Sequence, residues 1–218
     1  IGSLAAGVAH EIRNPLSSIK GFAVYLKEKL SGNIEDEKTA EVMIQEVERL
    51  NRVISQLIEF ARPLELKKEK TRFSDLVRHT VKLIDAEARK NKIAIDMEID
   101  ADAPLIEVDP DKIKQVLLNI FLNSLAALKN GGKLTIELEP KADNLAVIIS
   151  DTGMGIEKTD LPRIYDPYFT SKPAGTGLGL AVVQKIMEAH GGHINVESTS
   201  GKGTKVFLNF PLSDTGKK

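Results

Sequence analysis

Four groups of residues have types and spacings suited to chemistry. The first is His10-Glu11 with Asn14 and Pro15. Asn14 follows His10 at i+4, so an imidazole and a carboxamide share one helix face, and Glu11 adds a carboxylate beside them. The second is Asn119 and Asn123, again at i and i+4, on an otherwise apolar run. Paired carboxamides suit a hydrated cation that also touches phosphate oxygens. The third is Asp151-Thr-Gly153-Met-Gly155, where an apolar run ends in a carboxylate and two glycines. That carboxylate can accept from an exocyclic amine while the glycines let a ring approach the backbone. The fourth is Lys172 ahead of Gly175-Thr176-Gly177-Leu178-Gly179-Leu180 at a helix start, where free N–H groups and the macrodipole favour phosphate.

Taken singly, each group has a plainer reading. An exposed histidine is commonly a solvated residue, asparagines are commonly caps or core hydrogen-bonders, and Asp-x-Gly-x-Gly is commonly a turn. The order of the last three along the chain, each at the end of an element, points instead to a nucleotide site. The glycine spacing matches neither the Rossmann nor the P-loop fingerprint.

The elements that must carry these groups are legible from periodicity. Leu4, Val8, Ile12, Leu16, Ile19, Ala23, Leu26 and Leu30 recur at steps of three or four, the spacing of one helix face. His10 falls off that stripe, so its imidazole is expected to face solvent. Pro15 breaks the backbone ladder at a generic cost of about 3 kcal/mol, which predicts a local kink, since the stripe continues through it. Ser31, Gly32 and Asn33 supply turn chemistry. Ala40, Met43, Val47, Leu50, Ile54, Leu57 and Ala61 then alternate steps of three and four, as in a coiled coil. Residues 1–62 therefore read as an antiparallel helical hairpin with wide apolar faces. The cheapest cover is a second copy, so a homodimer with a four-helix bundle is expected.

Pro63 stops the second helix. Beyond it the pattern predicts a strand at 64–69, a helix at 73–91 capped by Ser74 or Thr71, and strands at 93–99 and 106–108. A helix at 110–129 opens on Pro110 and is broken by Gly131 and Gly132. Strands at 134–139 and 145–151, a helix at 178–190 ending at Gly191-Gly192, and strands at 193–197 and 204–210 complete the chain. This order indicates an α+β sandwich, helices on one face of one sheet. The expected organisation is a helical dimerisation domain at 1–63, an α+β domain at 64–213 and a polar tail at 214–218.

Composition narrows the class. A chain of 218 residues suits two domains, and its net charge of −1 gives no footprint for nucleic acid. Without cysteine there is no disulfide framework or thiolate metal site, which fits a reducing compartment. No run reaches the length of a membrane span, so no direct membrane contact is expected. The chain starts inside a helical pattern at Ile1 without methionine and reads as a fragment. The fragment is expected in the cytoplasm, with its parent a candidate for membrane anchoring and for an upstream sensor domain.

The chain resembles the catalytic core of the sensor histidine kinases of two-component signalling, over nearly all of its length. Ala9-His10-Glu11-Ile12-Arg13-Asn14-Pro15-Leu16 is similar to that family's H box, and Asn119-Ile-Phe-Leu-Asn123 to its N box. Asp151-Thr-Gly-Met-Gly155 is similar to its first glycine box, Tyr168-Phe169-Thr170 to its F box, and Gly175-Thr-Gly-Leu-Gly179 to its second glycine box. The wording around His10 and the short stretch between Phe169 and Gly175 look most like the nitrogen-regulator and zinc-responsive subgroup.

The resemblance implies a sandwich of the Bergerat type, shared with gyrases and chaperones, that binds ATP and Mg²⁺. It makes His10 the phosphoacceptor, Glu11 the group that raises the nucleophilicity of its ring, and Asn14 a guide for dephosphorylation of the regulator. Asn123 would ligate Mg²⁺, Asn119 would sit near the phosphates, and Asp151 would take the adenine amine. Lys172 with the Gly177 and Gly179 amides would hold phosphates, while Thr204 would support the adenine pocket through water or serve simply as a strand residue. Phosphoryl transfer would then run to an aspartate of a response regulator's receiver domain. Ala126 and Ala127 depart from the family, which often carries a basic residue and an aromatic there, and weaker ATP binding is expected for it. His79, His190 and His193 match no motif and read as structural or surface residues. Two other classes compete: a superfamily ATPase, which would want a carboxylate base at Asn119, and a non-catalytic docking module, whose glycine boxes would have decayed.

Overall fold

The computed structural model describes the backbone of residues 2–30, 32–61, 63–99, 104–172 and 175–212; the side chains of residues 2–11, 52, 56 and 59–61 lie outside the described part. The chain divides into two compact units, Ile1–Pro63 with Ser171–Leu178, and Leu64–Thr170 with Gly179–Lys218. Residues 171–178, placed by sequence in the second domain, thus group with the first unit. The tail at 214–218 lies outside the described residues.

The first unit is a hairpin of α1 (Gly2–Lys29) and α2 (Ile34–Ala61), and α1 runs through Pro15 as expected. The Asn33 side-chain carbonyl accepts the Glu35 N–H at 3.1 Å, capping α2, and Glu35, Asp36 and Glu37 complement the positive end of its dipole. Arg13 donates to the Ser55 hydroxyl at 2.8 Å, Lys20 pairs with Glu48 at 2.7 Å, and Lys27 pairs with Glu41. Partner numbers fall by seven as α1 numbers rise by seven, which fixes an antiparallel register. Among the described stripe positions Leu16, Ala23, Ala40 and Val47 are buried, whereas Ile12, Ile19, Leu26, Leu30, Met43, Leu50 and Leu57 are exposed. Most of the described stripe positions are thus left exposed in one chain.

The second unit places α3 (Phe73–Lys90), α4 (Pro110–Ala127) and α5 (Gly179–Ala189) with a five-stranded mixed sheet. The sheet comprises β2 (Ile93–Glu98), β4 (Gly132–Pro140), β5 (Asn144–Asp151), β6 (His193–Thr199) and β7 (Gly203–Pro211), in the order β2-β4-β5-β7-β6. Only the β2–β4 pair in that sheet is parallel. Ile136, Ile149 and Val206 lie in register across three strands, as do Leu138, Val147 and Leu208, and all six are buried. Phe73 of α3 meets Phe210 on this face with ring centroids 5.1 Å apart, which locks the helical layer to the sheet.

Three expectations are corrected. Residues 64–68 are not a strand; pairing begins at β1 (Glu69–Arg72), which joins β3 (Leu105–Val108) in a separate two-stranded sheet, so the unit holds two sheets rather than one. Leu64 and Leu66 alternate correctly but have no partner strand opposite them among the described residues, and alternation alone cannot supply one. Neither Ser74 nor Thr71 caps α3. Arg72 occupies that position without a side-chain cap, because Ser74 lies buried inside the helix and the Thr71 hydroxyl donates to the Glu69 carbonyl instead.

Candidate active site

Asn119 and Asn123 stand on α4, whose position is set by its start and its buried stripe. Asp109 caps it with a carboxylate oxygen that accepts from the Asp111 and Lys112 N–H groups, both at 3.1 Å, and Pro110 supplies the first turn. Ile113, Val116, Leu117, Ile120 and Phe121 are buried, leaving both asparagines half-buried on the flank. The start of α5 lies directly opposite. A Cβ on Gly179 would stand 3.9 Å from Asn119 Oδ1 and 4.0 Å from Asn123 Nδ2. The two carboxamides and the amino end of a helix therefore converge, a donor set that fits a cation with phosphate oxygens.

Asp151 ends β5 on the buried face of the sheet, in a row that runs Leu134, Asp151, Thr204, Ser198 across four strands. It is 8% exposed, and its Oδ1 accepts the Gly153 N–H at 2.9 Å, which folds the glycine turn back over the strand end. Thr204 is the direct cross-strand neighbour of Asp151, with its hydroxyl 3.0 Å from that of Ser198. Ser198 also donates to the Gly203 carbonyl at 2.9 Å and accepts the Ile156 N–H at 2.9 Å, so it ties β6 to the chain leaving the glycine turn. The sequence offered no signal for Ser198, because its partners are set by strand register. The turn also touches the end of α4: the Met154 N–H donates to the Ala127 carbonyl at 3.2 Å, and a Cβ on Gly153 would stand 2.7 Å from that of Ala127.

Two glycines are demanded by geometry. Gly155 has φ +68° and Gly203 φ +104°, and an added Cβ would lie 2.1 Å from the Thr199 carbonyl oxygen and 2.0 Å from that of Asp151. Gly155→Ala should therefore destabilise this unit by about 2 kcal/mol through left-handed strain plus a backbone clash, seen as a lower thermal midpoint. An unchanged midpoint would mean that the turn relaxes freely.

The remaining sequence-predicted residues sit elsewhere in the chain's division. Lys172, Gly175, Thr176, Gly177 and Leu178 belong to the unit that holds the hairpin. There the Lys172 carbonyl accepts the Gly175 N–H at 3.0 Å, Gly177 has φ +70°, and Leu178 is buried. Just before them, the Arg163 guanidinium lies 4.5 Å from the Phe169 ring centroid, and Tyr168 adopts a left-handed φ of +69°. His10 and Glu11 lie within α1, and their side chains, including the expected solvent-facing imidazole, fall outside the described residues. Asn14 is exposed, and its backbone carbonyl accepts the Ser18 hydroxyl at 3.3 Å.

Of the three histidines that match no motif, His190 is buried while His79 and His193 are exposed. Burial holds the His190 pKa below the 6.5 of a free imidazole; the Ile186 carbonyl opposes that shift, Lys68 adds to it and Asp109 opposes it. Burial of Asp109 pushes the other way, yet the Lys67, Lys112 and Asp111 N–H groups keep its carboxyl below the ordinary range. Among the described residues no helix is long and apolar enough to cross a membrane.

Comparison with known proteins accords with this geometry. The family described as His Kinase A (phospho-acceptor) domain matches residues 1–65, and the family of histidine kinase-, DNA gyrase B- and HSP90-like ATPases matches residues 108–214. Sensor histidine kinase ZraS of Escherichia coli (strain K12) is 42% identical over 217 residues, covering 100% of this chain and 47% of that protein. The chain thus spans about half the length of that relative. Full-length ShkA in complex with AMPPNP shares the fold, with a TM-score of 0.79 at 24% identity over 97% of this chain and 46% of that one. Histidine kinase ThkA, solved in complex with the response regulator protein TrrA, aligns with a TM-score of 0.73 at 30% identity, covering 97% of this chain and 62% of that one. A phospho-acceptor hairpin followed by an ATPase-type sandwich, each matched in its own right, makes this chain a member of the sensor histidine kinase family.

Proposed function

We propose that this chain transfers the γ-phosphoryl group of ATP to His10 and passes it to an aspartate of a response regulator. The observation that carries the reading is the meeting of Asn119, Asn123 and the amino end of α5 at Gly179, in the same unit as a buried Asp151. Asp151 would accept from the adenine amine, with Gly153 and Gly155 opening the backbone to the ring and Thr204 beside it. Asn119, Lys172 and the backbone from Gly175 through Thr176, Gly177 and Leu178 to Gly179 would hold the phosphates. Asn123 would hold Mg²⁺, which supplies charge neutralisation when bound. A His10 ring nitrogen attacks the γ-phosphorus in line, the bond to the β–γ bridging oxygen breaks, and ADP leaves. Glu11 takes the hydrogen bond or proton of the ring. Positioning and electrostatics supply most of the acceleration.

Residues 1–63 serve dimerisation and phosphotransfer in this reading, and residues 64–213 bind ATP. A second copy covers the exposed positions of the heptad stripes, giving a homodimer. The kinship to ThkA, whose structure includes a response regulator, supports a receiver domain as the partner. The parent protein would be a membrane-anchored sensor with this core in the cytoplasm. Incubation with labelled ATP tests the reading: the label should be lost in acid and survive base, as a phosphoramidate does. Base-labile or absent label would contradict it.

Asn14 adds phosphatase activity. It is exposed one turn beyond His10, and a carboxamide can orient water without deprotonating it, enough for attack on a reactive acyl phosphate. In Asn14→Ala the ratio of regulator dephosphorylation to autophosphorylation should fall about tenfold, equivalent to about 1.4 kcal/mol of lost orientation. An unchanged ratio would reduce Asn14 to a backbone residue suited to the position before Pro15.

A further inference from the structure

The helix that carries the two asparagines is tied at its start to a histidine that the nucleotide reading does not use. His190 follows the last turn of α5 and is 5% exposed. Its Nδ1 lies 2.8 Å from the Ile186 carbonyl, an acceptor, so Nδ1 carries the proton. Nε2 is then the acceptor, and it takes the Asp109 N–H at 3.0 Å. The geometry thus admits a neutral ring in one tautomer. Asp109, 7% exposed, is held from the other side as well: its Oδ2 accepts the Lys67 N–H at 2.8 Å while Oδ1 caps α4.

α4 and α5 consequently approach at two places, and at one of them a hydrogen bond joins them. Gly179, at the start of α5, abuts Asn119 and Asn123, and His190, just past its end, grips the residue that starts α4. From Gly179 to His190 the helical rise spans about 16 Å, and from Asp109 to Asn119 about 15 Å, so the two meeting points lie at matched distances along antiparallel helices. We propose that His190 is a positioning residue for this site: its neutral ring pins Asp109, so α4 cannot slide or turn against α5 and the spacing between the two carboxamides and the amino end of α5 stays fixed. The inference rests on reading that place as the nucleotide site.

Protonation would undo the pin. An imidazolium presents N–H at Nε2 to the Asp109 N–H, donor against donor, and the bond must open. The charged groups acting on the ring are Lys68, from the segment before β1, which disfavours the proton, and Asp109, at the start of α4, which favours it. Because burial lowers the ring's pKa, the pin is complete near neutral pH and is lost only as pH falls through that lowered value.

The experiment measures binding of the Mg²⁺ complex of AMPPNP by calorimetry, at about pH 8 and about pH 5, with circular dichroism showing the chain folded at both. The parent is compared with His190→Gln, whose side-chain carbonyl can accept the same N–H and does not titrate. The nucleotide's own titration is common to both proteins. The parent should lose about fivefold to tenfold more affinity than His190→Gln between the two pH values, the worth of one opened hydrogen bond. His190→Leu, lacking any acceptor, should bind more weakly than His190→Gln at the higher pH. Parallel pH profiles in the parent and His190→Gln would overturn the proposal, as would a folded His190→Leu that binds like the parent. If His190→Leu does not fold, the comparison of the other two proteins decides. Absence of binding by the parent at the higher pH would sink the nucleotide reading itself, a different outcome from binding with parallel profiles.

Discussion

Replacing His10 with glutamine should abolish acid-labile phosphorylation of the chain while leaving nucleotide binding in place. Glutamine keeps a polar side chain of similar reach, and its amide nitrogen is no nucleophile at neutral pH, because its lone pair is delocalised into the carbonyl. The chain has three other histidines, and none can substitute. His190 is buried with both ring nitrogens engaged, and His79 and His193 match none of the motifs. The loss should therefore be complete, a far larger effect than the roughly 10²–10⁴-fold typical of removing a general base, which is the scale expected for Glu11→Gln. Label retained undiminished in His10→Gln would end the reading of His10 as phosphoacceptor. Calorimetry on the same variant separates loss of the acceptor from loss of ATP binding.

The second large effect is discrimination between purines. Asp151 is buried, and one of its oxygens is already committed to the Gly153 N–H, so the carboxylate is held in one orientation. In the proposed site adenine would present an amino group to it. Guanine presents a carbonyl at the same place, setting an acceptor against a negative acceptor in a site shielded from water. The difference is one charge-assisted hydrogen bond plus one buried unpaired group, about 2 to 4 kcal/mol in favour of ATP over GTP. Competition calorimetry with the two Mg²⁺ nucleotides reads it directly. Equal affinities would remove Asp151 from the base pocket, and so would an Asp151→Asn variant with unchanged preference, since an amide can turn its NH₂ towards the guanine carbonyl.

Ala127 gives the family departure a structural setting. The carbonyl of Ala127 accepts the Met154 N–H, and its methyl group faces Gly153, so a residue at this position touches the glycine turn. The small side chain is compatible with a turn packed close against the end of α4. Neither Ala126 nor Ala127 offers an aromatic ring to stack on a base, so in the proposed site affinity would come from Asp151 and the phosphate end.

Local signals in the sequence were sufficient for several features. Both long helices, the hairpin between them, Pro110 at the first turn of α4 and the terminal glycines of α5 follow from periodicity and capping, which depend on residues three to five positions apart. The pairs His10–Asn14 and Asn119–Asn123 were legible for the same reason, because helical spacing places such residues on one face without further information. The tertiary structure decided what depends on partners far along the chain. It chose which positions of each heptad stripe are buried against the other helix, since apolar residues occupy buried and exposed positions alike. It set β1 with β3 in a sheet of their own, and it aligned Asp151 with Thr204 and Ser198 through strand register. The bond between His190 and Asp109 joins residues 81 positions apart. No local pattern marks that pair: a buried histidine takes its role from the donor that packing brings to its ring, and packing is a property of the whole folded unit.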